Sequence, residues 1–412
     1  MQLEKYSFGT GDRFGRQGLA QLNAIMEINR LGVPVVPVWN KSNREHTIIG
    51  SKPADVKAEA IAATGSYSGN YYIDADHINL ETVDRFMESS NFFTIDVAHF
   101  IGKKPGKNAV EDFVARFGKY VGPLTIAGID KDLGVSREFL GAVAENYLVA
   151  VDEVQRIYDH ICSIKGRDNF VAEVSVDEAE LVQGPLELLF ILALLHEKGV
   201  ELQTIAPKYS GLFAKGVDYI GNVNKFAAEF EQDVAVVRYA IDSLGLPETL
   251  KLSVHSGSDK FSIYPSIKTA IRKFDAGIHV KTAGTTWLEE VIGLCEAGKD
   301  GLGIAREIYA KSLERYDELT GPYTTVLHIN RLMLPGAAEV NGWSGKQFSE
   351  ALTHDQHCRN YNPHFRQLIH VGYKIAAEMG EHFLSALDTH QENIAGKVKH
   401  NLLERHLKPL FL

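Results

Sequence analysis

Cysteine is scarce in this chain: Cys162, Cys295 and Cys358 are the three among 412 residues, far apart and without a CxxC pair. That argues against a disulfide scaffold and against a cysteine-built zinc or redox motif, and it suits a reducing compartment. No run of lysine and arginine occurs, and the formal net charge is −10. The chain therefore lacks the means to neutralise a phosphate backbone, and nucleic acid is not an expected partner. Long apolar runs are missing too. The stretch from Leu186 to Leu195 contains Glu187 and falls far short of the roughly 20 residues that cross a bilayer. The opening residues reach GTGDRFGR without the apolar segment of a secretory signal. A cytoplasmic protein with no membrane partner is expected. Also absent are GxGxxG after the first strand, GxxxxGK[ST] and GxSxG, which removes the usual arguments for dinucleotide, P-loop and hydrolase-elbow chemistry. The 13 prolines and 36 glycines follow no period, so neither a short-repeat array nor a low-complexity tail is indicated.

What is present is ordinary globular material, 45% apolar and 23% charged, enough for a sizeable core. Short β-branched or apolar runs end in polar residues and lead into helical periodicity. They are Tyr6–Gly9, Val33–Val38, Asn70–Ile73, Phe92–Val97, Phe170–Val176, Leu202–Ile205, Leu250–Val254 and Gly277–Val280. Eight such units are what a (β/α)8 TIM-type barrel of the α/β class requires, although an open doubly wound sheet shares the local pattern. Between the fourth and fifth strands, Phe100 to Asn169 exceeds one crossover helix and is rich in amphipathic pattern. It is expected to be a helical insertion, a candidate lid or homo-oligomer contact. The chain after the eighth strand stays almost wholly helical. The expectation is a catalytic barrel in residues 1–315, with its insertion at about residues 100–169, and a helical C-terminal extension in residues 316–412.

Barrel enzymes carry their chemistry at the carboxyl ends of the strands. Here those ends read GTGDRF, VWNKSN, IDADHIN, IDVAHF, AEVSVDE, APKY, SVHSGSDK and HVKTAGTTW, each bearing polar or ionisable residues. The third places Asp74, Asp76 and His77 within four residues. Carboxylate plus imidazole is a ligand set for zinc or manganese, and the competing reading is a helix cap with a packed histidine. In the fifth strand Glu173, Ser175 and Asp177 alternate with apolar residues and so face the barrel interior. A buried glutamate there needs a metal, a lysine or a proton. Ser253, His255 and Asp259 share one parity in and after the seventh strand.

The turn Ser256-Gly257-Ser258-Asp259-Lys260 is small enough for its backbone N–H groups to approach an anion, with Lys260 as a point charge. In the eighth strand His279 and Lys281 share a face. Thr282, Ala283, Gly284, Thr285 and Thr286 open the next helix, where its N-terminus suits a carboxylate or phosphate; Thr285 as a plain helix cap is the alternative. Arg13 and Lys208 are further candidate anion partners. His354 and His357 have no neighbouring carboxylate pattern that would make them a second metal cluster.

GTGDRF, DADHI, SVHSGSDKFSIYP, HVKTAGTTW and HVGYKIAAEMGEHF together resemble the tagaturonate epimerase family across nearly the entire chain. The length of SVHSGSDKFSIYP makes that match specific. The resemblance implies a metal-dependent barrel isomerase of hexuronate catabolism that interconverts D-tagaturonate and D-fructuronate, with relatives acting on the uncharged ketohexoses tagatose and fructose at C4. It assigns the metal to His77, Glu173 and His255 by motif position, with inward parity supporting Glu173 and His255. Asp177 or Asp76 then completes the shell or serves as acid–base, and Lys281 is the third candidate catalytic residue. Ser256, Ser258, Asp259, Lys260, Thr282, Thr285, Arg13 and Lys208 are the candidate substrate contacts. The expected cofactor is a divalent ion, zinc first, with manganese, cobalt or nickel as alternatives. The inverted carbon lies β to the carbonyl, so removal of an acidic α proton does not invert it. A retro-aldol cleavage with re-addition and a direct deprotonation or oxidation at that carbon are the two open routes. A metal-dependent aldolase and a non-catalytic sugar-acid-binding protein are the competing functions.

Overall fold

A computed structural model describes residues 1–282 and 284–412; Ala283 lies outside the described residues. The expected barrel is borne out. Eight parallel strands close in the order β1-β10-β9-β8-β7-β4-β3-β2. They are β1 (Tyr6–Thr10), β2 (Val35–Ser42), β3 (Tyr72–Ile78), β4 (Phe92–Asp96), β7 (Val171–Ser175), β8 (Thr204–Ala206), β9 (Lys251–His255) and β10 (Ile278–Lys281). Two short strands, β5 (Gly122–Leu124) and β6 (Leu133–Val135), pair antiparallel outside the barrel. They lie within the insertion, between helices Lys107–Phe117 and Arg137–Lys165. Strands of three residues, each with a glycine and β5 with a proline as well, carry no alternation to read, so the sequence indicated helix alone there.

Six of the strands end later than their apolar runs, while β4 and β7 end one residue earlier, at Asp96 and Ser175. β3 runs through the whole of Tyr72–Ile78, so Asp74 and Asp76 are strand residues that point inward by alternation rather than loop residues at the rim. At its base the interior is packed by Leu3, Val36, Val38, Tyr72, Phe92 and Val171. Above this plug the inward positions turn polar: Ser7, Thr94, Glu173, Thr204, Ser253 and His279 are all at most 1% exposed. Gly9 is matched to Lys281 across β1 and β10. A Cβ at Gly9 would lie 3.0 Å from Lys281 Cγ and 2.8 Å from Asn40 Nδ2. The missing side chain makes room for the lysine stem crossing the barrel.

Helices wrap the barrel. Pro185–Glu197 starts on proline at its first turn, and Gly199 follows its end at φ +70°, the conformation glycine adopts without strain. The helical stretch after β10 is broken by Gly298 into Thr285–Ala297 and Lys299–Glu314. The C-terminal helices pack directly on the barrel wall. Trp287 Nε1 donates to the Ile369 carbonyl at 2.8 Å, and Gly293 lets Ile394 approach so closely that a Cβ there would be 2.8 Å from its Cγ1. No helix among the described residues is long and apolar enough to cross a membrane.

Candidate active site

His77 breaks the alternation of Asp74 and Asp76, yet its side chain reaches the same side. The register between β3 and β4 shifts between Ala75 and Ile78, and His77 sits at φ +52°, a conformation costly for a residue with a Cβ. This bulge re-aims the imidazole at the barrel mouth. Its Nδ1 is 2.9 Å from Asp76 Oδ1, and its Nε2 is 3.7 Å from Asp177 Oδ1.

His255, the last residue of β9, faces it with ring centroids 5.0 Å apart. His255 Nε2 is 2.8 Å from Glu173 Oε1, and its Nδ1 is 3.2 Å from Asp177 Oδ1. That Nδ1 is buried and makes no aligned hydrogen bond. One nitrogen from each histidine and a carboxylate oxygen of Asp177 fall within 4.8 Å of one another, a group able to hold a metal ion. Each histidine is backed at its other nitrogen by a carboxylate, the arrangement that orients metal-binding imidazoles.

This grouping differs from the expected His77, Glu173 and His255. Glu173 is fully buried one layer below, where Oε2 accepts from Thr204 at 2.7 Å and Oε1 meets both His255 and Lys281. Asp177, four residues further along on the same parity, takes the outer position. Lys281 forms the floor. Its Nζ is 2.7 Å from Asp74, 2.9 Å from Asp76 and 2.9 Å from Glu173, and it also donates to Thr94 Oγ1.

Burial opposes charge on every one of these groups, but the alternation of sign prevails. Asp74, Asp76 and Glu173 hold the Lys281 ammonium well above its ordinary range. Lys281 and His255 hold Glu173 well below the carboxylate range, and Lys281 and His77 do the same for Asp76. Asp177 is held down by His255 and His77. A lysine pinned in this way is a fixed counter-charge and does not release its proton near neutrality. Asp74 behaves oppositely: burial pushes it up to about 7 despite Lys281. Asp96, which ends β4, is also raised by burial, although His77 and the Ala98 amide favour its charge.

The candidate substrate turn folds away from this mouth. Ser256, Ser258, Asp259 and Lys260 are fully buried. Lys260 Nζ donates to the carbonyls of Ala214 at 2.9 Å and Val217 at 2.7 Å. Asp259 accepts from Arg366 at 2.7 Å, with His406 at 2.9 Å and His354 at 3.2 Å. Ser256 Oγ bonds the Lys281 carbonyl, and Ser258 Oγ accepts from the Gly216 amide. Thr285 Oγ1 donates to Asp259 at 3.1 Å and Thr282 Oγ1 to the Gly9 carbonyl at 3.2 Å. Through Arg366, His354 and His406, Asp259 locks the barrel to the C-terminal extension. His354 belongs to this lock, and His357 is exposed. His279 is buried lower in the barrel, with Nδ1 2.9 Å from Ser7 Oγ.

Arg13 stays at the mouth. Asp12 accepts the amides of Phe14, Gly15 and Arg16 at 2.9, 2.9 and 2.7 Å, and so shapes the loop that carries Arg13. Lys208 is half-buried after β8, its amide on Gln183 Oε1 at 2.7 Å. Reading the sequence did not single out Thr94, Asp96, Thr204, Lys215 or His370. Asp96 ends a strand and was open to discovery by the rule applied to the others.

A closed parallel barrel with a cluster of imidazole and carboxylate at its strand ends defines the class of barrel enzymes that act at the carboxyl face. The chain matches the family model described as tagaturonate epimerase over residues 1–410, and it belongs to that family of epimerases. It is 29% identical over 402 residues to the tagaturonate/fructuronate epimerase of Thermotoga maritima, covering 94% of this chain and 77% of that protein. The glycerol-complexed crystal structure of fructuronate-tagaturonate epimerase from Cohnella laeviribosi shares the fold, with a TM-score of 0.81 at 23% identity over 100% of this chain and 82% of that one. The native crystal structure of the same enzyme gives 0.81 at 24%.

Proposed function

We propose that this chain interconverts D-tagaturonate and D-fructuronate at a divalent ion held by His77, Asp177 and His255. The carrying observation is the convergence of two imidazole nitrogens and one carboxylate oxygen within 4.8 Å at the mouth of a barrel of the tagaturonate epimerase family. The donors suit zinc best, and also manganese, cobalt or nickel. Partial exposure of His77 and Asp177, 21% and 22%, leaves the group open to a small sugar acid. When bound, the ion supplies Lewis-acid polarisation of the substrate's ketone oxygen.

The chain's own residues do the rest. Glu173 and Asp76 fix the two rings, and Lys281 balances the carboxylates beneath them. We assign proton transfer to Asp96, which ends β4 part-buried at the mouth on the inward parity of Thr94, whereas Asp74 lies buried against Lys281; burial also raises the Asp96 carboxyl, which favours it as acceptor. In the retro-aldol route Asp96 takes the hydroxyl proton on the inverting carbon, and that carbon becomes an aldehyde as the adjoining C–C bond breaks. The electron pair of that bond passes to the ketone fragment. After the aldehyde turns over, the bond re-forms on its other face and Asp96 returns the proton. In the direct route the hydrogen on that carbon is itself removed and replaced.

The test is NMR of metal-replete protein with D-tagaturonate and, in parallel, D-tagatose. D-Fructuronate should accumulate from the acid. Three-carbon fragments would identify an aldolase, and unchanged substrate would overturn the reading. In deuterated solvent the retro-aldol route leaves protium on the inverting carbon, whereas the direct route with solvent exchange introduces deuterium.

A further inference from the structure

Beside the proposed metal group lies a second cluster, of cations. Arg13 follows β1, Arg44 follows β2 and Lys215 follows β8, so all three come from the carboxyl face. Arg13 is 7% exposed and its guanidinium sits 4.1 Å above the Tyr373 ring. Its Nε donates to Glu45 at 3.1 Å, while its Nη1 is buried without a hydrogen-bond partner. Arg44 and Lys215 each approach the Tyr323 ring, both 5.6 Å from its centroid, and the hydroxyls of Tyr323 and Tyr373 are 2.9 Å apart. His370, from the C-terminal extension, is 1% exposed, and neither of its ring nitrogens has a partner. Gly284 brings the start of helix Thr285–Ala297 against this pair: at φ +95°, a Cβ would stand 2.4 Å from His370 Cε1 and 3.2 Å from Arg13 Nη2.

Of these three cations Arg13 alone is in an ion pair among the described residues, with Glu45, which also accepts from the capping Ser42. Burial lowers Lys215, and Arg44 and Arg13 lower it further, against the pull of Glu45 and of Glu178 beside Asp177. Burial and then Arg13 and Lys215 likewise keep His370 well below its ordinary value. Like charges and orphaned polar atoms held together in this way cost stability, which is the mark of a site completed by a ligand of opposite charge. Glu45 also feels Asp76, so the cluster and the proposed metal group lie within one electrostatic neighbourhood.

We propose that Arg13, Lys215 and Arg44, with His370, form the subsite that grips the carboxylate of the sugar acid. The inference rests on the hexuronate reading above and deepens it. Arg13 and Lys215 supply charge-assisted hydrogen bonds, and the Tyr373 and Tyr323 rings hold the cations in place. An uncharged ketohexose offers this half of the site a hydroxyl in place of an anion, so the same residues set the preference for acid over neutral sugar.

Calorimetry with the metal-loaded full chain tests this without turnover, using D-galactonate as the acid probe and galactitol as its uncharged counterpart. Wild type should bind galactonate more tightly than galactitol, with affinity falling as salt rises. Lys215→Met should weaken galactonate by roughly 10- to 100-fold while changing galactitol by much less. Arg13→Gln should do the same, and Lys215→Met covers the case in which the more buried Arg13 variant fails to fold. Galactonate bound equally by wild type and Lys215→Met, equal losses for both probes, or no galactonate binding by wild type would each overturn the subsite. Failure of the epimerase assay with the galactonate preference intact would overturn the reaction and leave the subsite standing.

Discussion

Glu173 Oε1 lies 2.8 Å from His255 Nε2, which leaves Nδ1 as the nitrogen that His255 presents to the barrel mouth. A buried carboxylate in this position selects the tautomer and fixes the ring plane. Glu173→Gln should therefore lower metal affinity and turnover together by roughly 10- to 100-fold, with Lys281 still held by Asp74 and Asp76. Metal titration and kcat on the same protein check this; unchanged values would remove Glu173 from any orienting role.

His77 stores strain for the sake of placement. At φ +52° the backbone favours glycine, and a residue with a Cβ costs about 1 kcal/mol or more. His77→Gly should be more stable than His77→Ala by roughly 1 kcal/mol, while both lose metal binding and activity. Thermal unfolding of the two variants gives the comparison, and equal stability would show that the strain is absent.

The lock around Asp259 holds the extension to the barrel. Removing its carboxylate leaves Arg366 buried and charged, so Asp259→Ala should cost on the order of 3–5 kcal/mol of stability. Urea unfolding measures this, and a loss within about 0.5 kcal/mol would make the network incidental.

Glu289 gives the fold a pH dependence distant from the proposed metal group. It is 7% exposed, accepts from Asn401 at 3.1 Å, and is pushed by burial up to about 8, in spite of Arg366. Folding therefore favours the protonated form. Its contribution to stability is fully present below the ordinary value of 4.5 and is lost as pH rises through about 8. Glu289→Gln should leave stability near pH 5 little changed and raise it on the order of 3 kcal/mol at pH 9. Parallel unfolding curves for the two proteins at both pH values would refute this.

The barrel was legible because each strand buries a short apolar run and each ends in residues that no core explains. Glu173, Asp177 and His255 were found by parity, which geometry enforces wherever the strand is regular. His77 was found by residue type alone, since the bulge that turns it inward leaves no mark in a period-two pattern. The SGSDK turn had the composition of an anion cradle, but Arg366, His354 and His406 fill it from about 100 or more residues away, and sequence-local reasoning carries no signal of such partners. Lys215 and His370 were hidden for the same reason: each is a lone polar residue until the C-terminal extension folds over the barrel.

The most direct measurement is epimerisation of D-tagaturonate followed by NMR on samples whose metal content is determined in parallel, from EDTA-stripped to fully reloaded. Turnover should rise in proportion to metal and saturate at one ion per chain, with His255→Ala remaining inactive at every loading. Full turnover in the stripped protein, or an active His255→Ala variant, would contradict a metal-dependent epimerase centred on His77, Asp177 and His255.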